Sequence, residues 1–246
     1  MNKTFCKKNQ IFSLILAGCL ILFNASCGLD TIYVIDPPVI GDNQPSYDDM
    51  SQDKMYFEFR TSENKYEGMQ GITFLGTEVY YKIYNSSSRL NTETSSIYSA
   101  ANNESSSNQS ANLLIDKYGY QTLRNSVNPG ADFLIPYTES NKKVVIRLSD
   151  YPEYPAEYSE AGVQLGIPVR SISKKTSFNF KELMGTDDLP KSTEPIDADY
   201  AYTSTTEEIN AYYVALFAIA VARDSTYTPA YSTAVYLGSV KISLEN

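Results

Sequence analysis

The stretch Ala-Tyr-Tyr-Val-Ala-Leu-Phe-Ala-Ile-Ala-Val-Ala, from Ala211 to Ala222, carries no charge, and its only polar side-chain atoms are two phenol hydroxyls. A run of that length fits either a buried helix or a central strand. Ala218, Ala220 and Ala222 alternate with Phe217, Ile219 and Val221, and β-branched and aromatic residues are plentiful. That pattern selects a central strand covered on both faces.

The rest of the chain reads as strands to pair with it. Thr77-Glu78-Val79-Tyr80-Tyr81-Lys82-Ile83-Tyr84 alternates cleanly, with Val79, Tyr81 and Ile83 on one face and Glu78, Tyr80, Lys82 and Tyr84 on the other. Met55–Thr61 and Lys142–Leu148 are further strands; Val163–Ile172 and Ser177–Phe180 are weaker ones. A last strand over Thr233–Leu244 can turn Val235, Leu237, Val240 and Ile242 inward if Gly238-Ser239 bulges it. Asn128-Pro129-Gly130 and the Asp224–Pro229 segment supply turns. Between the strands, Asn85 to Ser110 is dominated by Ser and Asn and reads as a mobile insertion. Beyond it, Ala111, Leu114, Ile115 and Tyr118 fall on one helical face, and Gly119 follows as a left-handed cap; the spacing predicts one helix over about 107–118. The expected fold is mainly β, an antiparallel two-sheet β-sandwich over 55–246 with a short helical insertion at about 85–119.

The N-terminus constrains location. Lys3, Lys7 and Lys8 precede an apolar run from Ile11 to Phe23, which ends in Asn24-Ala25-Ser26-Cys27-Gly28. A basic start and an apolar core of roughly 7–15 residues make an export signal, and the core is shorter than the ~20 residues a bilayer span needs. A cysteine at its end is the acceptor of a bacterial lipid anchor. Cys27 is the expected acceptor, with a signal peptide over 1–26. The alternative is Cys19, behind Leu16-Ala17-Gly18, but that choice strands Leu20-Ile21-Leu22-Phe23 in an aqueous linker. Residues 27–54 then form a tether, polar from Ile40 to Lys54, with Thr31–Ile35 as a possible edge strand.

Composition removes whole classes of chemistry. There is no histidine in the 246 residues, so Ser-His-Asp and Cys-His catalysis are excluded, and the commonest zinc ligand is missing. Cys6, Cys19 and Cys27 all sit in the leader region, leaving the expected mature fold without a disulfide. The formal charge is −9 before the leader's three lysines are lost, a balance that disfavours nucleic acid, whose recognition rests on cations replacing counterions along phosphates.

Two stretches resemble fibronectin type III-like domains: Glu78–Tyr84 is similar to that family's third strand, and Tyr213–Asp224 with Tyr231-Ser232 to its sixth strand and following hairpin. The chain departs from the family in having no tryptophan on the second strand and a far longer gap between the two stretches. Together with the leader, the whole resembles uncharacterised spirochaetal lipoproteins, a resemblance that implies a place in the cell envelope and no activity.

Acidic clusters at Asp187-Asp188, Asp197-x-Asp199 and Glu207-Glu208 are the candidates for metal binding or a general acid/base pair. No Asp-x-Asp-x-Asp-Gly loop is present to converge oxygens on calcium, so solvated loops are expected, with no metal and no cofactor. The 21 tyrosines suit sheet surfaces, where the ring packs and the hydroxyl reaches water. Tyr151, Tyr154 and Tyr158, beside Pro152 and Pro155, are the candidates for a tyrosine-lined contact surface for a protein or carbohydrate. The expectation is a non-enzymatic binding or structural module tethered to the envelope; the alternative is an envelope enzyme or metal-binding protein working through Asp and Glu.

Overall fold

The computed structural model describes residues 34–49, 51–62, 70–102, 107–172, 176–180, 189–193, 195–204 and 211–243. Its strands are β1 (Val39–Ile40), β2 (Phe57–Arg60), β3 (Ile72–Tyr84), β4 (Gln121–Thr122), β5 (Arg124–Asn125), β6 (Ile135–Pro136), β7 (Lys143–Arg147), β8 (Glu157–Glu160), β9 (Val163–Gly166), β10 (Pro168–Val169), β11 (Tyr200–Ala201), β12 (Ala211–Asp224), β13 (Pro229–Tyr231) and β14 (Val235–Ser243). The helices are α1 (Ser87–Ala101) and α2 (Ser107–Asn112). Cys27 and Cys19 lie outside the described residues, as does Thr31–Tyr33 of the possible edge strand.

Two mainly antiparallel sheets pack as a sandwich, and β5 and β10 pair antiparallel in a separate two-stranded sheet. One sheet runs β1-β2-β7-β8-β9. The other is built on the long antiparallel pair β3 and β12, with Tyr81 opposite Leu216 and Ile83 opposite Val214. β14 and β13 lie along the far edge of β12, and β4, β6 and β11 along the far edge of β3; only β11 runs parallel to its neighbour. Phe57, Phe59, Val144 and Ile146 from the first sheet meet Val79, Tyr81, Ile83, Val214, Leu216 and Ala218 from the second in one core.

The opposite face of β12 carries Tyr213, Ala215, Phe217, Ile219 and Val221. These are buried beneath Leu90 and Ile97 of α1, Ala111 of α2 and the nearby Leu114. β12 is therefore the central strand its composition demands. The β14 bulge also forms: Leu216 pairs with Gly238 and Phe217 with Tyr236, so Leu237 is the extra residue. Gly238 has φ +117°, and a Cβ there would stand 2.4 Å from the Pro45 carbonyl oxygen.

Four segments differ from expectation. Most of the Ser/Asn-rich stretch is helix α1, not a mobile loop. Ser86 caps it by accepting from the Arg89 amide, and Thr92, Thr94 and Ser96 donate to carbonyls four residues back. Those hydroxyls consume the hydrogen-bonding capacity that would otherwise compete with the helix. The predicted helix over 107–118 is present as α2 followed by a wider π turn at Leu113–Lys117, and Gly119 ends it at φ +64°. Ser177–Phe180 forms no strand, although Phe178 and Phe180 are buried in the inter-sheet core. The polar stretch over Ile40–Lys54 lies against the sandwich: the Pro45 carbonyl accepts from the Ser239 amide, and the Tyr47 ring meets Tyr213 edge-on at 5.2 Å.

Candidate functional site

Asp197-x-Asp199 is placed by β11, just before its parallel pairing with β3. Asp199 is fully buried. Its carboxylate accepts from the Tyr81 hydroxyl at 2.7 Å and from Arg170 through Nε at 2.7 Å and Nη2 at 2.8 Å. Asp197 accepts from the same Nη2 at 3.3 Å and from the Lys191 amide. Burial opposes the Arg170 charge, but the Asp199 hydrogen bonds and the surrounding negative charge overcome it and raise its pKa. This pair is an internal lock between β11, β3 and the segment after β10. Asp187, Asp188, Glu207 and Glu208 lie outside the described residues, and among the described residues no three His, Cys, Asp or Glu side chains come together to hold a metal ion.

A second buried network docks α1 onto the sheet. Glu93 accepts from Lys82 at 3.2 Å, from Tyr84 at 2.9 Å and from Arg89 at 2.8 Å, and the Tyr84 and Tyr120 hydroxyl oxygens lie 2.8 Å apart in the same network. Burial lowers the Lys82 pKa and Glu93 works against that. The same device recurs at Tyr158, whose hydroxyl donates to Glu160, and at Tyr80, which hydrogen-bonds Glu78. Four of the buried carboxylates are thus capped by a phenol.

The three tyrosines singled out from sequence separate. Tyr158 points into the core and is no part of a contact surface. Tyr151 and Tyr154 exchange backbone hydrogen bonds across the Tyr-Pro-Glu-Tyr turn at 2.9 and 3.1 Å. Asp150 braces this loop by accepting from the Ala156 amide and from Asn179. Both rings are half-buried; burial pushes the Tyr151 hydroxyl up to about 12, with Arg147 acting against it. The Tyr154 ring lies 5.0 Å from the Arg147 guanidinium and the Tyr56 ring 5.4 Å from it.

Sequence reasoning did not single out the cleft beside β5 and β6. About 430 Å³ in volume, it is lined by the apolar or aromatic Leu75, Phe133, Leu134 and Tyr137 and by the polar Arg124, Asn125, Asn128 and Asp132. The Asn128-Pro129-Gly130 turn forms its rim, with the Ala131 amide donating to the Asn128 carbonyl. Arg124 is held in place by donating to the Ala131 carbonyl at 2.7 Å. Asn128 and Asp132 make no side-chain hydrogen bond to the described residues, and Tyr137 is 52% exposed. The only signal in the sequence was the turn itself. No family model, no curated protein and no solved structure matches this chain.

Proposed function

We propose that this chain is a lipid-anchored, non-enzymatic module of the bacterial cell envelope that works by binding, and that the cleft between Leu75 and the 124–137 loops is its contact surface. The spirochaetal lipoprotein resemblance and the anchor at Cys27 belong to the same proposal. The observation that supports it is the cleft's make-up. Apolar side chains line it together with the Asn128 amide and Asp132 carboxylate, which make no side-chain hydrogen bond to the described residues, beside a turn closed by a backbone hydrogen bond, and that is the mixture that binding pockets use. The buried acids, by contrast, are spent on holding elements together.

The test is a photocrosslinking amino acid placed at position 137 in intact cells, with position 98 on α1 as the matched control. Tyr98 is 57% exposed and Tyr137 52%, so exposure alone predicts equal yields. A discrete adduct at 137 and none at 98 supports the proposal; equal adducts, or none at either, refute it. Lipid attachment is tested separately: palmitate incorporation is expected to vanish in Cys27→Ser and persist in Cys19→Ser.

A further inference from the structure

Arg147 ends β7 on the face of its sheet turned away from the core. Its neighbours Val144 and Ile146 in the strand pattern are fully buried and face inward. The residue is only 7% exposed. Three cations are buried to this degree among the described residues. Lys82 is paired with Glu93, and Arg170 with Asp197 and Asp199. Among the described residues Arg147 has no carboxylate within ion-pair distance, and its Nε is sealed from solvent with no hydrogen-bond partner there. The terminal nitrogens donate to no acceptor among the described residues and, unlike Nε, are not sealed from solvent. What holds the group is aromatic: Tyr56 leads into β2 and Tyr154 lies in the loop leading into β8, and β2 and β8 flank β7 on its two sides.

A buried charge without a counter-charge is costly, and ring faces compensate it only in part. Nearby acids do not relieve it. Asp150 is engaged by the Ala156 amide and Asn179. Glu157 stands opposite Arg147 in the register without an ion pair to it, and Lys143 on the same face is committed to Glu58 at 2.9 Å. The flanking rings are themselves braced, Tyr154 by its turn and Tyr56 through its carbonyl, which accepts from the Asn43 amide. The guanidinium is therefore held between two rings, at 5.4 and 5.0 Å from their centroids, with Nε sealed and only the terminal nitrogens left to meet a ligand. That is the geometry in which a planar carboxylate takes two parallel N–H bonds.

We propose that Arg147, with Tyr56 and Tyr154, forms an anion site for the carboxylate of a small acidic ligand, sharing no residue with the cleft lining. A monoanion suits it better than a dianion, because the chain's net charge of −9 repels the second charge.

The test follows the Arg147 Nε–H resonance of the labelled protein by NMR during titration with galacturonate, N-acetylglutamate, galactose and sulfate. A saturable shift with a carboxylate, at about millimolar concentration for a single charged contact, and none with galactose supports the site. The tighter of the two carboxylates identifies a sugar or an amino-acid source. Arg147→Lys, read on the Tyr154 amide, weakens binding at least tenfold, since an ammonium lacks the fork. Glu157→Gln, which removes a negative charge opposite Arg147 in the register and with it the repulsion of the incoming anion, strengthens it. No shift with either carboxylate, an equal response to galactose, or tighter binding of sulfate overturns the assignment. Should Arg147→Lys fail to fold, the wild-type titration decides alone.

Discussion

Replacing Asp199 by Asn separates a structural carboxylate from a functional one. The substitution keeps the shape and removes the charge. Three donors now converge on Asp199: the Tyr81 hydroxyl at 2.7 Å and Arg170 at 2.7 and 2.8 Å. An amide can accept with its oxygen, but its NH2 must face at least one of those donors. Arg170, whose side chain is fully buried, loses the charged half of its pair with Asp199 and keeps the Asp197 contact at 3.3 Å. Breaking a buried pair costs about 3–5 kcal/mol, and the residual Asp197 contact places this case near the lower end. For a domain of this size ~1 kcal/mol shifts the melting midpoint by about 2–4 °C, so Asp199→Asn is expected to lower it by about 6–12 °C. Tyr81→Phe removes one charge-assisted hydrogen bond and leaves the Ser171 amide, which donates to that hydroxyl, without its acceptor; about 1.5–3 kcal/mol follows. Because the two residues share one network, the double substitution costs less than the sum, by at least ~0.5 kcal/mol. Urea unfolding of the four proteins at pH 7 measures this directly. A carboxylate kept for catalysis or a ligand is instead a source of strain, and removing it would leave the midpoint unchanged or raise it. That result, or strict additivity, refutes the structural reading.

Two further outcomes follow from single positions. Gly238→Ala forces a Cβ to within 2.4 Å of the Pro45 carbonyl at a φ of +117°, and is expected to cost about 2–3 kcal/mol and to speed hydrogen exchange at the Ser239 amide, which donates to that carbonyl; unchanged exchange at Ser239 would count against the account. Glu160 is held above the ordinary carboxylate range by burial, with the Tyr158 hydroxyl pulling the other way. A carboxyl raised in the folded state contributes stability below its unfolded pKa and loses it as the pH climbs through the folded one. Glu160→Gln cannot ionise and still accepts from Tyr158, so it is expected to melt above the wild type at pH 7 and to lose that advantage at pH 4; the reverse order in calorimetry at the two pH values would contradict the sign.

Where a segment's burial was written in apolar residues, the sequence was readable. β12, β3 and the bulged β14 followed from alternation, and the helix ending at Gly119 from its four apolar positions. α1 was hidden because its buried face is Leu90, Glu93, Thr94, Ile97 and Ala100, two of the five polar and one a small alanine, so no apolar period marked it. The Asp197-Asp199 pair looked like a solvated loop because its partner, Arg170, lies 27 and 29 residues away beside a two-residue strand. The cleft depends on bringing Leu75 to the 124–137 loops, a distance in sequence that no local pattern spans.

The tyrosine excess has the same origin as the hidden polar contacts. A chain without histidine or tryptophan that buries several acids needs an uncharged donor with reach, and the phenol is one. Glu78, Glu93, Glu160 and Asp199 are each met by a tyrosine hydroxyl extended from a neighbouring strand or from their own. A neutral donor satisfies a buried carboxylate without bringing a second charge that must itself be desolvated. The ring that carries it fills the sheet surface on the way. At Glu78 and Glu160 tyrosine therefore does what ion pairs do elsewhere, whereas Glu93 and Asp199 combine a phenol with the buried cations Lys82 and Arg170. Against that economy Arg147 stands out: a cation drawn under two tyrosine rings, where the same residue type that elsewhere supplies a donor can supply only a face.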